Sequence, residues 1–178
     1  MNIRPNTGPG RLIISLTIGL IVLLAVMVLV LRAFGEEGVV VAKPAPSFVL
    51  KVAKDRTVKL TDFKNRALIV CFLATWDKNS QEQMKILDVL QKRYSETNLA
   101  VLGFALDQTR TETVKSYAEQ HHLSYPLYLA TYDLIKAFGS LTAIPTTFVI
   151  DKNQNIIQTY VGVTETNVFD DYLKVITK

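Results

Sequence analysis

Apolar and polar positions divide this chain sharply. Leu12–Leu31, "LIISLTIGLIVLLAVMVLVL", is an uncharged run of twenty residues. As a helix rising about 1.5 Å per residue it spans about 30 Å, the thickness of a bilayer's hydrocarbon core. The run exceeds the apolar region of a cleaved signal peptide, about 7–15 residues, and "RAFG" after it is a poor cleavage signal. The expectation is an uncleaved transmembrane anchor over 12–34, with residues 1–11 before it. Arg4 and Arg11 precede the span, and Glu36 and Glu37 follow Arg32. Positive charge stays on the cytoplasmic side. The short N-terminus is therefore expected inside, and the chain after residue 35 outside the cytoplasm.

"GEEGVVVAKPAP" (35–46) reads as a linker whose prolines favour an extended exit. Beyond it, 47–178 alternates strand and helix patterns. "SFVLKV" and "TVKL" are short strands split by a polar turn. "ALIVCFLA" (67–74) is a continuous apolar run of strand length, as a strand covered on both faces requires. "SQEQMKILDVLQKRYSE" places Met84, Leu87, Leu90 and Tyr94 at helical spacing. "LAVLGFAL" is a second buried strand, and "TETVKSYAEQHH" a helix with Val114, Tyr117 and Ala118 inward. "YPLYLA" and "YDLIKAFG" give a short strand and a short helix stopped by Gly139. "PTTFVID" and "NIIQTYVG", joined by "KNQN", read as an antiparallel hairpin, and "NVFDDYLKVIT" as a closing amphipathic helix. The order β-β-β-α-β-α-β-α-β-β-α predicts one α/β domain, a mixed sheet between helices.

Charge changes the picture little. The 178 residues carry net +4 with pI near 9.1. Of 20 Lys and Arg, four precede residue 44; of 16 Asp and Glu, two do. That leaves 16 against 14, a net +2 for the domain, scattered singly. There is no basic stripe and no aromatic ladder, so no nucleic acid partner is expected. The lone cysteine, Cys71, cannot close an internal disulfide and sits inside "LIVCFL" as a core residue. Ser80 would need a nearby base to act as a nucleophile, and no histidine lies close in sequence. Adjacent His121 and His122 read as a surface turn, and neither a metal nor a cofactor is expected.

"APSFVLKVAKDRTVKLTDFKNRALIVCFLATW" followed by "IPTTFVIDKNQNIIQTYVG" resembles the membrane-anchored thioredoxin-like proteins of the TlpA/ResA type, within the redoxin (AhpC/TSA-like) group. These are extracytoplasmic thiol–disulfide oxidoreductases of bacteria. The likeness covers residues 44–178 and implies a thioredoxin fold with Pro145 as the family's cis-proline. It also implies a Cys-x-x-Cys at 77–80. Here those positions are Asp77, Lys78, Asn79 and Ser80, and Gln83 stands where many relatives carry an acid. Asp and Ser cannot exchange a disulfide. A peroxidatic cysteine or a copper-binding cysteine pair would be missing in the same way.

Two structural readings of the corner stay open. Asp77 is an N-cap, or the helix starts later and Ser80-x-x-Gln83 is a capping box. The resemblance places Trp76, Ile144, Pro145 and Thr146 in a groove that, in the family, lies against a bound partner chain. The expected function is a membrane-tethered module or accessory subunit that binds an extracytoplasmic or membrane protein without redox chemistry. The alternative is a thiol–disulfide oxidoreductase of the TlpA/ResA type.

Overall fold

The computed structural model describes residues 27, 43–53, 56–108, 110–139 and 141–177. Apart from residue 27, the expected anchor lies outside the described residues. The chain divides into Met1–Val39 and Val40–Lys178, and the second unit carries the α/β fold.

Strand β4 (Ala67–Leu73) is buried at every position. It runs parallel to β5 (Leu99–Ala105) and antiparallel to β7 (Thr146–Ile150). β5 continues parallel to β6 (Leu127–Leu129), and β7 turns back into β8 (Asn155–Val161). The two-residue β1 (Lys43–Pro44) pairs with the start of β8, giving a six-stranded order β1-β8-β7-β4-β5-β6. Ala45 N also donates to Gln154 O at 2.8 Å. Sheet pairing thus begins inside the proline-containing segment, ahead of residue 47. β2 (Val49–Ala53) and β3 (Arg56–Lys59) form a separate antiparallel hairpin, followed by a 3-10 turn over Leu60–Phe63.

The continuous apolar run of β4 has a period-2 explanation. Ala67, Ile69, Cys71 and Leu73 face one layer, packed with Met84, Leu87 and Leu90 of α1 (Lys78–Arg93). Phe169 and Leu173 of α4 (Thr166–Ile176) complete that layer. Leu68, Val70 and Phe72 face the other, against Phe48, Leu50 and Val58 of the hairpin segment and Leu134 of α3 (Tyr132–Ala137). In that second layer Phe72 meets Phe104, Phe138 and Phe148 with ring centroids 5.4, 5.2 and 6.0 Å away. α2 (Thr111–Gln120) buries Val114, while Tyr117 and Ala118 are only partly covered.

Local chemistry ends these elements where the sequence suggests. Gly139 at φ +99 follows α3, a left-handed conformation that glycine adopts freely. In the β7–β8 turn, Asp151 Oδ1 accepts from Asn153 N and Asn155 N at 2.9 and 2.8 Å. The expected mixed sheet between helices is therefore the architecture. Its thioredoxin-like order places the ends of β4 and β5 and the start of β7 together at one edge.

Candidate functional site

At that edge β4 gives way to Ala74, Thr75 and Trp76. Thr75 is fixed from three directions. Its N–H donates to Asp107 Oδ2 at 3.0 Å, its hydroxyl donates to Asp107 Oδ1, and Gln81 Nε2 donates to its carbonyl at 2.7 Å. Asp107 follows β5, so two neighbouring strand ends hold one loop. Trp76, next in the chain, is held out at 70% exposure.

Asp77 begins the helix. Its φ/ψ of −91/129 is extended, and Oδ2 accepts from Ser80 N at 2.7 Å, the geometry of an N-cap. That decides between the two sequence readings: α1 starts at Lys78, and Ser80 lies within its first turn. The capping-box reading is corrected because Gln83 is engaged elsewhere. Its Oε1 accepts from Thr164 N at 2.7 Å, and its Nε2 donates to Thr164 O at 3.5 Å. Gln83 is fully buried, so its amide closes off the backbone after β8 instead of returning to the helix start. Ser80 is also fully buried, and its Oγ has no hydrogen-bond partner among the described residues. Lys78 and Asn79 are exposed.

The second half of the corner comes from β7. Phe72 pairs with Thr146, so Pro145 lies beside the end of β4, and the Ile144–Pro145 bond is cis. Gly162 N donates to Pro145 O at 2.8 Å, and Thr146 Oγ1 donates to Ala143 O at 2.6 Å. The fold thus brings the Trp76–Gln83 segment and the Ile144–Thr146 segment to one end of the sheet. As surface they differ from the expected groove. Trp76 is exposed and Ile144 half-buried, but Pro145 and Thr146 are buried. Val161 at 60% and Val163 at 36% exposure extend the apolar surface from the end of β8. Sequence reasoning missed Thr75, Gln81, Asp107 and these two valines. Only "VGV" ending the last strand offered a signal.

Cys71 stands apart from the corner. It is fully buried in the middle of β4, paired with Thr147 on one side and Gly103 on the other. Thr147 Oγ1 donates to its Sγ at 3.3 Å. Burial pushes the thiol up to about 12, against which the Thr147 hydrogen bond is the smaller effect. Such a group is a thiol, not a thiolate, at any physiological pH. His121 caps α2, its ring stacked on Tyr117 at 4.1 Å, and His122 follows with φ +52.

Residues 41–159 match the AhpC/TSA family, two-thirds of the chain. The chain belongs to the AhpC/TSA family. Within it the likeness is to ResA-type proteins. "Thiol-disulfide oxidoreductase ResA" of Bacillus thuringiensis subsp. konkukian is 30% identical over 143 residues, 80% of this chain and 82% of that one. "Thioredoxin-like protein YneN" of Bacillus subtilis is 29% identical over 129 residues, 71% and 75% of the two chains. Among solved structures, a thiol:disulfide interchange protein of the thioredoxin family from Chlorobium tepidum superposes with TM-score 0.67. It is 31% identical, and the match covers 77% of this AhpC/TSA-family chain and 97% of its own. The resemblance read from the sequence holds, and the expected thioredoxin-like α/β fold is shared with that structure.

Proposed function

We propose that this protein is a membrane-tethered, extracytoplasmic thioredoxin-like module that binds a protein partner through the Trp76–Ile144 corner without redox chemistry. One observation carries the reading. The turn after Trp76 holds no sulfur, Asp77 there is spent as a helix cap, and the chain's only thiol is sealed in the sheet. Disulfide exchange needs a thiolate that can reach its substrate. The corner keeps what binding needs: an exposed tryptophan, a half-buried isoleucine and the two terminal valines around a fixed loop. Extended peptides dock on such surfaces through backbone pairing and apolar contact. The twenty-residue apolar run and its flanking charges support the tether in a bacterial cytoplasmic membrane, with this domain on the outer face.

The relatives' names favour a second reading, thiol–disulfide oxidoreductase, and judged on names alone it is the better supported. Fold transfers between relatives more safely than activity does. Insulin reduction driven by dithiothreitol separates the two. The expected result is no turnover above the protein-free rate, and turnover that survives Cys71→Ala returns the oxidoreductase reading. For the binding reading, the native chain isolated in mild detergent is expected to carry a stoichiometric companion that Ile144→Asp loses. A companion retained by that variant removes the corner as the binding surface.

A further inference from the structure

A concavity lies away from this corner, where the β2–β3 hairpin leans over α2 and β6. It encloses about 690 Å³, inside the range of about 300–1,000 Å³ typical of small-molecule sites. Its floor is apolar, formed by Ala118, Leu123, Leu127 and the partly buried ring of Tyr128. Gly103 of β5 leaves room for the floor. A Cβ there would meet Leu127 Cδ1 at 2.6 Å and Tyr125 Cε2 at 3.2 Å, so with glycine both side chains lie against the sheet without shifting. Tyr125 spends its hydroxyl inward, on Met84 O at 3.3 Å, and so offers the cleft only ring surface.

Polar recognition is left to the rim. Lys115 faces its own carboxylate, Glu119, at 3.6 Å. Arg56 also lines the cleft; its backbone belongs to the β2–β3 ladder, and its guanidinium has no hydrogen bond or ion pair to any described residue. Its charge is felt inside: burial raises the Tyr128 hydroxyl, and Arg56 opposes that rise. An apolar floor with a guanidinium at its mouth that no described residue pairs suits a ligand of matching polarity, since arginine pairs with a carboxylate through two parallel hydrogen bonds.

We propose that this cleft is a binding site for a small organic carboxylate with an apolar aromatic or aliphatic body, its acid group on Arg56 and its body on the Leu127–Tyr128 floor. The site shares no residue with the partner-binding corner, so it stands or falls separately from that reading.

The test is a titration of the full-length chain, held in phospholipid nanodiscs, with 2-naphthoate and its uncharged analogue 2-naphthamide, followed by amide NMR. Empty nanodiscs correct for partition into lipid. The expected result is saturable shifts at Ala118, Leu127 and Tyr128, with Trp76 and Ile144 unmoved. Losing one charge-assisted pair is worth about tenfold in affinity, so both 2-naphthamide and Arg56→Gln are expected to bind about tenfold more weakly. Ala118→Phe fills the floor and should abolish the shifts, with an otherwise unchanged spectrum showing that it folds. No saturable shift at the floor, or equal affinity for the acid and the amide, or an Arg56→Gln variant as tight as the native chain, overturns the proposal.

Discussion

Strand β4 and the corner that follows it are adjacent in sequence and differ in what fixes them. Ala67–Leu73 is held by packing: every side chain is buried, in two layers that tolerate neither a void nor a charge. Thr75–Gln83 is held by polar contacts made by single residues: Asp107 on Thr75, Asp77 on Ser80, Gln83 on Thr164. A packed strand reads alike in any relative of the fold, because its requirement is apolar volume on both faces. A polar corner depends on particular atoms, so its residues can change without disturbing the strand. Family likeness therefore reports well on the scaffold and much less on activity.

The largest effect is expected in the strand. Phe72→Ala removes the ring that Phe104, Phe138 and Phe148 surround. Such truncations cost about 3–5 kcal/mol, and urea unfolding should show it as an earlier midpoint with the slope unchanged. A loss under about 1 kcal/mol would mean that this layer collapses around the gap, and the strand would be no more exacting than the corner.

Cys71 gives the strand a pH signature. Burial holds its thiol up at about 12 against an ordinary 9.0. Between those values the folded chain keeps a proton that the unfolded chain releases, so stability falls as pH rises. The slope attributable to Cys71 is about 1.4 kcal/mol per pH unit, and it is absent well below the ordinary value of 9.0. Tyr125 and Tyr160 are shifted the same way by burial, so the whole-chain slope is steeper than this. Chemical denaturation in steps upward from that ordinary value should show the slope shrinking in Cys71→Ala. An unchanged slope would mean that water reaches this thiol.

The corner is expected to respond less. Gln83→Leu keeps the apolar stem and leaves the buried Thr164 N–H without its acceptor. An orphaned buried donor costs about 1–3 kcal/mol, and amide exchange at Thr164 should speed up with it. Asp77→Ala deletes the helix cap, worth about 1 kcal/mol, and should be partly rescued by Asp77→Asn. If Gln83→Leu is silent while Asp77→Ala is not, the corner rests on its cap and on Asp107 without the Gln83–Thr164 contact.

How far the sequence discloses the molecule follows the same division. The uninterrupted run of "ALIVCFLA" is enough to predict a strand covered on both faces, since burial on two sides leaves no polar register to see. Helix α1 is legible from Met84, Leu87 and Leu90 because 3.6-residue spacing is a local property. The sequence alone leaves Gln83 open as half of a capping box, because the pattern Ser-x-x-Gln is local and its partner, Thr164, stands 81 residues away. Asp107 is invisible for the same reason, its contact with Thr75 spanning 32 residues. The two residues of β1 are too few to carry any period at all.

Ser80 tests whether the corner is hydrated, and its effect is the smallest. The side chain is wholly buried and its hydroxyl oxygen meets no partner among the described residues. Taking a hydroxyl out of water without a compensating hydrogen bond is unfavourable by about 1–3 kcal/mol on protein scales. Ser80→Ala removes that burden but leaves a small void of one oxygen, so the two changes oppose each other. The expected outcome is a stability unchanged or raised by up to about 1 kcal/mol, opposite in sign to Asp77→Ala three residues earlier. A buried hydroxyl whose removal helps marks a position that needs only volume. A loss of about 1 kcal/mol or more from Ser80→Ala would say instead that the oxygen is hydrogen-bonded in solution, through an ordered water. The corner would then be a hydrated polar site, and the contrast between a packed strand and a turn held by single contacts would have to be redrawn at Ser80.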